Sequence, residues 1–243
     1  MTFTNSLSQR VIELNNEAIA SSLKGLRQDA VITLQRALSM LLTVQDAQKS
    51  SSSSSSPRVR RRAEAMRVSN SVPLAHEQIA RPFDDVFAFF NRAITISSPD
   101  DDDDLAGSWS LSCPQNRSRL QATLLYNLGL ICHTEAIQTG SSLVFHNSLQ
   151  FYGGAYQVLE AKSRVLGLSP DESLILVAIF NNMGHIHSSC LMNREKTQQC
   201  MQWMQSAFAV PRIQKSLDAE EHSFFSQYIS VPAQRQLLLS PAA

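Results

Sequence analysis

The sequence predicts an all-α chain of stacked antiparallel helical hairpins, with one minor two-stranded β ribbon at most and with disordered inserts between hairpins. Three observations lead there. Apolar residues recur at helical spacing in long stretches broken by single glycines. Helix-start signals stand ahead of several of those stretches. One short motif also occurs three times, each time followed by a second stretch of matching small and large residues.

The first hairpin is expected over 7–42, with helical character reaching about residue 48. Val11, Ile12, Ile19 and Leu23 share a helical spacing, Gly25 interrupts it, and Ala30, Leu34, Ala37, Leu38, Leu41 and Leu42 resume it. Seven serines, Ser50 to Ser56, then lead into Pro57 and the arginines Arg58, Arg60, Arg61, Arg62 and Arg67. So polar a tract buries too little apolar surface to offset its ordering entropy, and 48–80 is expected to be a disordered insert. The segment FDDVFAFFNRAITIS, 83–97, is rich in aromatic and β-branched residues and favours an extended conformation, with a short helix as the alternative. FFSQYISV, 224–231, has the same character, which suggests that the two pair as a ribbon. The run Asp100 to Asp104 marks an acidic loop over 98–111.

Helical signals strengthen in the second half. Ser112-Cys113-Pro114-Gln115 has capping-box spacing, and its helix should run to about Gln138 before Gly140. The next is expected from Ser142 to Leu166, closing the second hairpin (112–167) at Gly167. Ser169-Pro170-Asp171-Glu172 combines an N-cap serine, a first-position proline and acids in the first turn. That helix should reach about Cys190, and its partner, Arg194 to Phe208, completes the third hairpin, 169–208. The tail, 211–243, has no clear period. Gly153-Gly154, inside a predicted helix, implies either close packing or a kink.

Composition excludes several functional classes. Lysine plus arginine and aspartate plus glutamate each number 21 in 243 residues, which argues against a dedicated nucleic-acid or membrane-surface binder. Apolar runs fall well short of the roughly 20 residues that span a bilayer. The start, MTFTNSLSQRVIELNNE, has no signal-peptide core. The expectation is a cytoplasmic protein with reduced cysteines (Cys113, Cys132, Cys190, Cys200) and an unused Asn116-Arg117-Ser118 sequon, with nuclear import as the alternative that the arginines offer.

The repeated motif aligns without gaps. Leu125-Tyr126-Asn127-Leu128-Gly129-Leu130-Ile131 matches Phe180-Asn181-Asn182-Met183-Gly184-His185-Ile186, and Leu14-Asn15-Asn16-Glu17-Ala18-Ile19-Ala20 fits the same frame. In the second helices, Gly25, Ala30, Leu34 and Ala37 step by five, four and three, as do Met192, Thr197, Met201 and Met204. Ser148, Tyr152 and Ala155 keep the last two steps. Small residues such as Gly129 and Gly184 admit a close neighbour, and the large ones fill the seam. With its asparagine–apolar–glycine triplets and the spacing in GLRQDAVITLQRAL, the chain resembles the tetratricopeptide repeat superfamily, as a divergent small member of the kind common in single-celled algae. The resemblance covers about 7–42 and 119–208. It departs from the family in that Asn16, Asn127 and Asn182 are 111 and 55 residues apart, not multiples of about 34.

The resemblance implies a non-catalytic module that binds a protein or peptide on a concave helical surface. By the same resemblance, Asn16, Asn127 and Asn182 hydrogen-bond an extended peptide's backbone, flanked by Tyr126, Asn181, His185, His133 and Ser188. The alternative reading has these asparagines bonding neighbouring helices or facing solvent. No phosphate loop, GxSxG or HExxH motif suggests an enzyme, and no cofactor is expected. His185 and His187, two apart on a helix, point to opposite sides, and Cys132-His133, Cys190 and Cys200 lack ligand spacing, so no metal is expected. A second functional reading gives Arg58, Arg60, Arg61, Arg62 and Arg67 a nucleic-acid or nuclear-import role, although no aromatics interleave them for base stacking.

Overall fold

Among the described residues three helical hairpins follow one another, and a two-stranded ribbon lies between the first two in sequence. The computed structural model describes residues 3–51, 68–74, 86–97, 111 and 113–230. α1 (Phe3–Leu23) and α2 (Arg27–Ser51) form the first hairpin, turned at Gly25 with φ +81°. β1 (Val68–Pro73) and β2 (Arg92–Ile96) form the antiparallel ribbon. α3 (Pro114–Thr139) and α4 (Ser142–Leu166) form the second hairpin. α5 (Pro170–His185), a π turn (Ile186–Cys190) and α6 (Arg194–Phe208) form the third. α7 (Pro211–Gln214) and α8 (Ala219–Ser230) complete the described chain.

The helix ends follow from local chemistry. Gly140 caps α3 in the left-handed conformation, its N–H bonding Ala136 C=O. Ser141 and Asn193 cap α4 and α6 through their side chains. At α5 the capping box forms in both directions: Ser169 Oγ accepts from Glu172 N–H, and Glu172 returns a bond to Ser169 N–H. α3 departs from expectation. Its N-cap is Cys113, whose side chain caps no backbone group, and Pro114 takes the first helical position. Ser112, the serine of the expected capping box, lies outside the described residues.

Neighbouring helices pack within each hairpin, and α2 packs on α3 and α4 on α5, so the hairpins stack. Gly129 serves its expected purpose: a Cβ there would lie 2.7 Å from the Tyr152 ring of α4. Gly184 does not face α6 but Phe87, at 2.6 Å. Gly154 meets only Leu125 at ordinary contact distance, and nothing lies within 4 Å of a Cβ at Gly153.

The ribbon corrects two expectations. β2 does not pair with 224–231 but with residues 68–73, inside the stretch expected to be disordered. Val72 pairs with Ala93, Ser71 with Ile94 and Pro73 with Arg92, while Leu74 is buried and its N–H reaches Asn91 C=O. An open edge of β2 supplies the pairing that the polar tract could not supply alone. Residues 224–230 lie instead in α8, which begins with a reciprocal cap between Asp218 and Glu221. Helical spacing then brings Phe224 and Phe225 onto Phe90, with ring centroids 5.1 and 4.7 Å away. The tail, without a clear period in its sequence, thus contributes two helices within 211–230. Arg58, Arg60, Arg61, Arg62, Arg67 and the Asp100–Asp104 run lie outside the described residues. Among the described residues no helix is long and apolar enough to cross a membrane.

Candidate functional site

A strand presents the N–H and C=O of alternate residues along each of its two edges. In the 86–97 segment, one edge of Arg92–Ile96 is paired with β1. Along the other, the face built by α1, α3 and α5 supplies side-chain partners to both groups of Phe90, Ile94 and Ile96 and to the carbonyls of Ala88 and Arg92.

A carboxamide carries one donor and one acceptor at the spacing of a peptide group, so it can replace the missing strand. Asn182 Oδ1 accepts from Phe90 N–H at 2.9 Å, and its Nδ2 donates to Phe90 C=O at 3.1 Å. Asn127 does the same to Ile94, at 3.0 and 2.9 Å. Asn16 does so to Ile96, at 3.1 and 2.8 Å. The residue before each asparagine reaches the carbonyl two positions earlier in the segment. Asn181 donates to Ala88 C=O at 2.7 Å, the Tyr126 hydroxyl to Arg92 C=O at 2.9 Å, and Asn15 to Ile94 C=O at 3.1 Å. Asn127 also donates to Asn15 Oδ1 at 2.9 Å, tying α3 to α1.

The repeated motif is thus a repeated tool. Each copy reads two alternate residues of one extended backbone, and the three copies together cover Ala88 to Ile96. The fit is dry: Asn15, Asn127, Asn181 and Asn182 are fully buried, while Asn16 is half-buried. Phe87, Phe90, Ala93, Ile94 and Ile96 fill the space around them, each at most 2% exposed. Burying each larger side chain contributes about 1.5–3 kcal/mol. Beyond the ladder, Arg92 pairs with Glu220 at 2.9 Å, and Ser71 donates to Glu221 at 3.2 Å.

His133 and His185 lie past one end of the ladder. His133 Nε2 and His185 Nδ1 are 3.0 Å apart, so one ring donates and the other accepts. The Phe89 ring covers both, with centroids 4.1 Å from His133 and 5.7 Å from His185. Burial, with His185 alongside as a second cause, holds His133 well below the usual imidazole range. The Tyr152 hydroxyl stands 3.5 Å from His133 Nδ1 and accepts from Asn182 Nδ2 at 3.2 Å, linking this pair to the ladder. Burial pushes the Tyr152 and Tyr126 hydroxyls above the usual phenol range. Ser188 donates to His185 C=O at 3.3 Å and stays on its own turn.

Sequence spacing pointed to no ligand set, yet the fold brings three side chains of ligand type together. Ligand atoms of His133, His185 and Cys190 all lie within 4.8 Å of one another. Sequence reasoning also left out Asn15, Tyr152 and Phe89. Asn15 was detectable, since the internal alignment places it opposite Asn181 and Tyr126. Comparison of the chain with protein-family models, with curated proteins and with solved structures gives no match.

Proposed function

We propose that the chain is a non-catalytic interaction module that holds an extended polypeptide by its backbone on a concave surface formed by the first helices of its hairpins. The observation that carries this reading is the bidentate grip of Asn16, Asn127 and Asn182 on Ile96, Ile94 and Phe90. Such contacts recognise a peptide group rather than a side chain, so the clamp accepts any strand whose alternate side chains fit the surrounding pockets. It agrees with what the tetratricopeptide resemblance implies for these asparagines. Segment 88–96 is then the resident occupant, and a partner enters by replacing it. A tethered occupant competes at an effective concentration in the millimolar range for short linkers, so an external strand binds the intact chain weakly.

The test is exchange. Two site-specific protease sequences are inserted in the full chain, at 76–80 and 101–105, and both are cut after folding. A fluorescent peptide of sequence 84–98 is then added and its anisotropy followed. The expected result is uptake of the labelled peptide with release of the nicked segment, accelerated at least tenfold by Asn182→Ala. Loss of the helical signal on release, or no uptake over days, would show a permanent core element and defeat the reading.

A further inference from the structure

We infer that His133, His185 and Cys190 form a binding site for Zn(II), supplied by three elements that converge behind the ladder. Two imidazoles and a thiolate are a donor set suited to zinc, and three protein ligands leave its fourth tetrahedral position to an exchangeable ligand. The ligand atoms lie within 4.8 Å of one another. In a tetrahedral centre with Zn–N bonds of about 2.0–2.1 Å, two ligand nitrogens stand about 3.3 Å apart. His133 Nε2 and His185 Nδ1 are 3.0 Å apart, so the ion needs a slight opening of this pair, a tilt of both rings toward it and an approach of the Cys190 sulfur to about 3.5 Å from the nitrogens.

The backbone is adapted to bring the sulfur in. Leu191 N–H bonds Ile186 C=O, five residues back, which widens the turn by one residue. Cys190, five residues beyond His185, thereby comes round to the same side, which an uninterrupted α-helix would reserve for residue 189. A π turn costs regular hydrogen bonding, and such turns concentrate at functional sites. The outer shell is also in place. The Tyr152 hydroxyl, 3.5 Å from His133 Nδ1, is positioned to fix that ring's orientation, as partners behind zinc-bound histidines do. Phe89 closes the site over both rings. His133 is fully buried and Cys190 half-buried, so the ion enters past Cys190. On binding, the proton held between His133 Nε2 and His185 Nδ1 passes through water to the other nitrogen of the ring that carried it, the Cys190 S–H gives its proton to water, and two imidazole lone pairs and the thiolate form the metal bonds.

The test uses the full chain, reduced and stripped of metal with a chelator, and Co(II) as a spectroscopic substitute. The expected result is thiolate-to-cobalt charge transfer and tetrahedral visible bands, saturating at about one ion per chain and erased by Zn(II). Cys190→Ser should remove the charge-transfer band and weaken Zn(II) binding at least tenfold, and His187→Gln should change neither. No charge transfer in the parent chain, or an undiminished band in Cys190→Ser, overturns the site. If Cys190→Ser does not fold, alkylation mapping decides: saturating Zn(II) should slow iodoacetamide labelling of Cys190 at least tenfold and leave Cys113 unchanged. Equal labelling of Cys190 with and without zinc overturns it. Failure of peptide exchange leaves this titration unaffected, so the two proposals fail separately.

Discussion

Gly184 lies flush against the ring of Phe87: a Cβ added to it would sit 2.6 Å from both Cε2 and Cζ. The glycine of the third motif copy thus admits not a partner helix but the occupant of the ladder. Phe87 is fully buried, so its ring has nowhere to retreat. Gly184→Ala should destabilise the fold by about 1–3 kcal/mol through overpacking. Gly153→Ala meets nothing within 4 Å and lies inside α4, so it should stabilise by about 0.5–1 kcal/mol. Urea denaturation of both variants checks the opposite signs, and equal shifts would contradict the packing.

The ladder asparagines should differ in worth according to burial. Asn127→Ala leaves Ile94 N–H unpaired in a dry site and deprives Ile94 C=O of one of its two donors. Leaving buried polar groups unmatched costs about 1–3 kcal/mol each, so a loss of roughly 2–4 kcal/mol is expected. Asn182→Ala should cost as much, since it strips Phe90 and also Tyr152 of a partner. Water can replace half-buried Asn16, and Asn16→Ala should cost about 1 kcal/mol. Native-state hydrogen exchange at the amides of Phe90, Ile94 and Ile96 reads each rung directly. If Asn16→Ala proves as damaging as Asn127→Ala, the graded ladder is wrong.

What the sequence disclosed follows from where the information sits. Helix ends rest on residues a few positions apart, so Ser169 with Glu172, and Gly140 after Ala136, were legible. The asparagines were legible as a set because the motif repeats. Their occupant was not, because they bind its backbone, which leaves no pattern in side chains. β1 was missed for a related reason: Ser71 and Val72 gain order from the edge of β2, not from their own composition. The α8 segment reads as extended because Phe224, Phe225 and Ile229 suit either state, and the Asp218–Glu221 cap decides for the helix. The trio of His133, His185 and Cys190 was hidden twice. Its members come from helices 52 residues apart, and the π turn sets aside the helical spacing that would relate His185 to Cys190.

Glu172 anchors a buried ion cluster between α3, α4 and α5. It is fully buried and pairs with Lys162, while Arg119 lies 3.7 Å from both Glu172 and Asp171. Glu172→Gln keeps the shape and a capping oxygen but leaves two buried cations facing Asp171 alone. Removing one partner of a buried pair typically costs 3–5 kcal/mol, and a loss of about that size is expected. Pairing it with Lys162→Met should recover part of the loss. A double variant no better than the single one would mean that water already neutralises the site. Thermal denaturation of the three chains at one pH makes the comparison.

Cys132 and Cys200 should be inert until the protein unfolds. Burial pushes the Cys132 thiol up to about 11, with Glu135 adding to it, and burial pushes Cys200 up to about 12. An ordinary thiol near 8.5 is about one-quarter ionised at pH 8, whereas these are ionised by about one part in a thousand or less. Native alkylation at both should therefore rise about tenfold per pH unit from 8 to 10 without a plateau, while the unfolded chain levels off above about pH 9.5. The same shifts fix the sign of the pH dependence. An acid whose folded pKa is raised keeps its proton in the fold after the unfolded chain has lost it, so stability falls as pH rises from about 8.5. Each thiol contributes at most about 1.4 kcal/mol per pH unit in that window, and the buried hydroxyls of Tyr126 and Tyr152 add the same sign from about pH 10. Urea midpoints measured from pH 7 to 10.5 should decline throughout the alkaline half. A flat profile, or early labelling of Cys200 in the native state, would show that α6 does not seal its thiol against the hairpin.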